Sequence, residues 1–74
     1  MITTDDLNVI EGFVAKDESF NNRLFFFCPY KPKRNRFQGI WQAKGREYEI
    51  PREIFPNLKW EDEPIKVELT IKRI

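Results

Sequence analysis

Ile65-Lys66-Val67-Glu68-Leu69-Thr70-Ile71-Lys72 alternates apolar and polar side chains without a break. A period of two puts Ile65, Val67, Leu69 and Ile71 on one face of a strand, buried, and the polar residues on a wet face. A helix needs a period near 3.6, and no long stretch has one. Prolines at 29, 32, 51, 56 and 64 also cut the chain into pieces too short for long helices. The fold class that follows is all-β.

Working outward, Tyr48 and Ile50 alternate with Glu47 and Glu49 in the same way. Phe37, Gly39, Trp41 and Ala43 form one face of a further strand, with Arg36, Gln38 and Gln42 on the other. Lys44-Gly45 between these two reads as a tight hairpin turn, its glycine at positive φ. Leu7 to Ala15 is less regular, and Gly12 marks a bulge or bend there. Leu24 to Cys28 is apolar on both faces. It is either a central strand covered on both sides or a strand with one exposed aromatic face. Asp17 to Asn22 and Lys31 to Asn35 read as polar loops.

Pro51 to Leu58 suits one short helical turn, since proline is tolerated in a first turn and Pro56 soon ends it. Ile54, Phe55 and Leu58 would plug the end of a barrel. Glu61-Asp62-Glu63-Pro64 turns into the last strand. Five short strands with a helical turn before the last resemble a small SH3-like barrel. An OB-fold also has five strands but needs a longer helix before its fourth, and no segment is long enough for one. Residues 1–74 are expected to form this single domain.

The lone Cys28 has no partner for a disulfide, which fits a reducing compartment. Met1 to Asp6 is polar and acidic, unlike a secretory leader, and the longest apolar run, Leu24 to Cys28, is too short to span a bilayer. A soluble, cytoplasmic protein is the expectation, with no membrane partner.

Catalytic chemistry has few carriers. The chain has no histidine, so Ser-His-Asp and Cys-His arrangements and the commonest metal ligand are absent. Ser19 is the only serine, and three scattered glycines make no phosphate loop. Asp5-Asp6, Asp17-Glu18 and Glu61-Asp62-Glu63 read as turn and solubility residues. No enzyme, metal or cofactor is expected.

Charge is segmented. Residues 1–22 hold five acids and one base; residues 23–46 hold seven bases and no acid. Residues 47–63 return to net −4, and residues 64–74 carry net +2. The basic block also holds six of the eleven aromatic residues, so a whole-chain charge of +1 conceals it. Within it, Tyr30-Lys31-Pro32-Lys33-Arg34-Asn35-Arg36-Phe37 brackets four cations with rings. Lys31, Lys33, Arg34 and Arg36 are the expected electrostatic contacts, and Tyr30 and Phe37 the flanking ones.

The function expected is a non-catalytic binding module, a small protein-interaction or accessory subunit whose basic aromatic loop meets an acidic protein surface. Its near-neutral total charge favours that over a dedicated nucleic-acid binder. The alternative is single-stranded nucleic acid, with cations on phosphates and rings on bases. A second copy of the chain, met through an edge strand or a leftover phenylalanine face, is a further candidate partner.

Overall fold

The computed structural model describes residues 7–19, 21–72 and 74. Expectations on the acidic start, Asp5-Asp6 included, lie outside them. The described chain is all-β: β1 Leu7–Lys16, β2 Leu24–Cys28, β3 Lys33–Asn35, β4 Ile40–Gln42, β5 Arg46–Ile50 and β6 Ile65–Lys72, with a 3-10 turn at Arg52–Ile54 ahead of β6. One four-stranded sheet runs β5-β2-β1-β6, and β3-β4 form a separate hairpin. Among the described residues no helix is long and apolar enough to cross a membrane.

The sheets do not close into a barrel. Every pairing in the main sheet is antiparallel, and β5 and β6 stand at its opposite edges. Register assigns the faces. Val14 pairs Phe26, Phe26 pairs Tyr48, and Gly12 pairs Val67. One face therefore carries Val14, Leu24, Phe26, Tyr48 and Leu69, and the other carries Phe13, Ala15, Phe25, Phe27 and Glu47.

Each face has its own core. On the first, Val14, Leu24, Phe26 and Leu58 are buried, and Phe55, Ile50 and Val67 pack against them. On the second, Ala15, Phe27 and Trp41 are buried, flanked by Phe25, Ala43 and Trp60. The triple phenylalanine thus belongs to a central strand covered on both sides. Phe26 and Phe27, neighbours in sequence, are 2% and 1% exposed on opposite faces.

Three local expectations are corrected. The hairpin turn is Arg36–Gly39, not Lys44-Gly45, and β4 pairs β3 rather than β5. Lys33–Asn35 is a strand rather than part of a loop. Gly12 marks no bulge, because pairing with β6 runs unbroken from Glu11 through Phe13. Its role is close approach: a Cβ there would collide with the Phe27 carbonyl oxygen and stand 2.6 Å from Cζ of Phe26. The apolar face of β6 is also less buried than its pattern implies, with Leu69 39% and Ile71 53% exposed.

The Phe27 oxygen is backbone and cannot swing aside. Gly12→Ala is expected to lower stability by about 1–3 kcal/mol, as overpacking does. A fall in the urea midpoint at unchanged slope checks it.

Candidate functional site: the β3–β4 hairpin

The hairpin places the basic aromatic stretch. Lys33, Arg34 and Asn35 pair with Gln42, Trp41 and Ile40. Gly39, at φ +69°, closes the turn in a region other residues rarely adopt. Its amide donates to the Asn35 carbonyl at 2.9 Å, and the Gln38 amide donates to Asn35 Oδ1 at 3.1 Å. A second set of bonds ties the turn to the loop after β1. The amides of Glu18 and Ser19 both donate to the Gly39 carbonyl at 2.9 Å, and Ser19 Oγ donates to the Gln38 carbonyl at 2.7 Å. The tip is therefore a fixed turn. Phe37 stands on it 99% exposed, beside exposed Arg36.

Trp41 anchors the base. Its amide donates to Asp17 Oδ1 at 2.9 Å and its indole Nε1 to the Lys16 carbonyl at 3.0 Å. Its ring lies 5.6 Å from that of Trp60. Arg34 fits against both, 4.5 Å from the Trp41 ring centre and 5.2 Å from that of Trp60. Its Nη2 reaches the carbonyls of Trp60, Glu61 and Asp62 at 3.0, 3.1 and 3.1 Å. The guanidinium is a cross-link inside the fold, with its charge directed to backbone acceptors.

The six residues singled out by sequence thus divide. Arg36 and Phe37 share the tip. Lys33 is exposed on β3, on the opposite side from Arg34. Tyr30 and Lys31 precede the hairpin, and Lys31 lies 3.9 Å from Glu63. Arg23, at the start of the same basic block, lies 3.7 Å from Glu49. Arg46 stands on the other side of the sheet, in line with Cys28 and Tyr48. The partners that sequence reasoning missed are Trp60 and Asp17. Trp60 left no local signal, being 26 residues from Arg34. Asp17 follows β1 at once, where a carboxylate commonly caps a neighbouring amide.

Asp17 is itself buried, and its carboxyl is pushed above the ordinary value of 3.8. Burial is the main cause. The Trp41 amide opposes it, Glu47 adds to it and Arg23 opposes it. Among the described residues no three of His, Cys, Asp and Glu gather as a metal set. Compared with family models, curated proteins and solved structures, the chain matches none.

Two outcomes follow from this geometry. Arg34→Lys keeps the charge and loses the planar stack and fork, so stability should fall by about 1–3 kcal/mol in denaturant unfolding. Asp17→Asn keeps the Oδ1 acceptor and removes the ionisation. A folded carboxyl with a raised pKa contributes stability that is complete below the unfolded value and is lost as pH rises through the folded one. The variant should therefore be at least as stable as wild type at neutral pH, and should lack wild type's gain on acidification. Urea midpoints across pH 3 to 7 test this, and a variant that gains more than wild type on acidification would refute it.

Proposed function

We propose that the chain is a non-catalytic binding module, a small accessory or regulatory subunit that docks on an acidic protein surface through the tip of its β3–β4 hairpin. The observation that supports this most is Phe37, 99% exposed on a turn fixed by hydrogen bonds to Asn35 and Ser19. A large ring left in water gains most by entering a pocket, and aromatic anchors dominate many interfaces. A pre-ordered turn loses little entropy on docking. Arg36 and Lys33, exposed nearby, supply charge for steering toward acidic groups. An SH3-like relationship belongs to the same reading: the last strand follows a helical turn and returns to the first, in a sheet left open.

Protein is favoured over single-stranded nucleic acid by the fate of the basic block. Arg34 is turned inward, and Lys31 and Arg23 sit beside Glu63 and Glu49. Lys33 and Arg36 remain as the natural phosphate contacts near Phe37. Two such contacts give a salt slope of only about −1.4 for a single strand.

The test is site-specific photocrosslinking from position 37 in the native host, with Arg36→Glu as control. A protein adduct lost in the control is expected. Adducts to nucleic acid alone, or none, would overturn the reading. With that partner purified, Phe37→Ala should speed dissociation about 10- to 100-fold and leave association nearly unchanged.

A further inference from the structure

We infer that a second copy of this chain pairs antiparallel with the outer edge of β6, about a two-fold axis at Val67. The site is remote in role from the hairpin tip and independent of its partner.

β6 is eight residues long and ends the sheet order, so among the described residues no strand lies along its outer side. Unpaired backbone of that length is a template for another strand. Beside it lies an open apolar groove of about 830 Å³, lined by Ile10, Phe26, Cys28, Tyr48, Leu69 and Ile71. Ile65 and Leu69 on β6 are each more than a third exposed. Monomers rarely keep such a face next to a bare edge.

Charge identifies the occupant. On the opposite face Glu68 stands directly across from Glu11. Like charges in register are destabilising. Lys66 reaches Glu11, with Nζ 3.8 Å from Oε2, and no ion pair to Glu68 forms among the described residues. Among the described side chains the row has two carboxylates and one lysine, and that lysine lies by Glu11.

A second β6 brings its Lys66 to Glu68, where it bridges that carboxylate to its own Glu11. With the axis at Val67, Lys66 of each copy lies opposite Glu68 of the other, Ile65 lies opposite Leu69, and Val67 meets Val67. Side-chain parity is kept, so apolar faces meet apolar faces. The neighbouring register, centred on Glu68, sets Glu68 against itself. The one centred on Leu69 sets position 66 against position 72, lysine against lysine. The strand is thus self-complementary at the Val67 register and repels at those centred on Glu68 and Leu69, and of the registers that bring a lysine to Glu68 the Val67 one alone does so with Lys66 and sets Ile65 against Leu69. The product is a continuous eight-stranded sheet with the two grooves side by side.

Sedimentation velocity on the purified chain across a concentration series tests this. The wild type should run as a dimer that dissociates on dilution. Glu68→Lys should raise the dimer dissociation constant by about 100-fold or more, because lysine then faces lysine twice. The variant also sets a lysine across from Glu11, so the monomer's own fold is relieved rather than harmed. An unchanged circular dichroism spectrum separates lost pairing from lost folding. Lys66→Glu with Glu68→Lys should restore the dimer. A wild type that stays monomeric throughout overturns the inference, whether another protein or residues 1–6 cover the edge. A Glu68→Lys variant that remains dimeric also overturns it, and so does a double variant that fails to recover.

Discussion

The burial of β2 on both faces is the constraint on which the rest depends. Phe26 and Phe27 point to opposite sides of a single sheet, and both are nearly sealed from water. A sheet buried on two faces needs two covers. In 74 residues each must be small. The segment after β5 supplies one, through Phe55 and Leu58. The β3–β4 hairpin supplies the other, through Trp41. The covers meet at one end of the sheet, since Trp60 belongs to the Trp41 side while Leu58, two residues earlier, belongs to the Phe26 side. Arg34 closes that junction by holding the carbonyls of Trp60, Glu61 and Asp62. The sheet is capped at an end instead of being rolled into a barrel.

The same clasp changes the electrostatics. A block of seven cations and no acids looks like a basic surface when read along the chain. Folding redistributes it. Arg34 gives its charge to backbone dipoles and indole rings, where desolvation makes cation–π attraction stronger than at the surface. Lys31 and Arg23 come beside acids from the neighbouring segments, so the alternating charge blocks partly neutralise each other across strands. What remains at the tip is a local feature, one ring and one adjacent cation, Arg36.

Most of the sheet was legible in the sequence. β5, β6 and the 3-10 turn follow from period-two alternation and from Pro51 and Pro56, and β2 from its doubly apolar run. The hairpin was misplaced because Phe37, Gly39, Trp41 and Ala43 happen to alternate and Lys44-Gly45 offered a plausible turn. The competing signal was present in Asn35 and Gly39, which bracket the real turn. An asparagine that bonds an amide three residues on, with a glycine at positive φ, outweighs alternation over so few residues. The role of Arg34 was not legible, because Trp60 and its carbonyl partners lie 26 to 28 residues away and Trp41 faces it only once the hairpin is placed correctly. The open face of β6 was hidden for the related reason that alternation reports which side is apolar, not whether anything covers it.

That open face follows from the capping itself. Both covers sit near Val14, Ala15 and Leu24, and among the described residues neither cluster reaches the far end of β1 and β6. There Ile10, Leu69 and Ile71 stay half exposed, and Glu11 faces Glu68. Either feature alone would be an ordinary surface irregularity. An apolar stripe on one face, a like-charge pair on the other and, among the described residues, an unpaired backbone edge between them make three local conflicts in one strand. Sequences that fold well rarely keep such conflicts except where another interaction resolves them. A second β6 laid along the first would bear on all three: it would set Ile65 beside Leu69 and so lengthen the stripe, pair the backbone from Ile65 to Leu69 and bring a lysine to Glu68. It does so with its own sequence, since Lys66 of each copy then lies opposite Glu68 of the other.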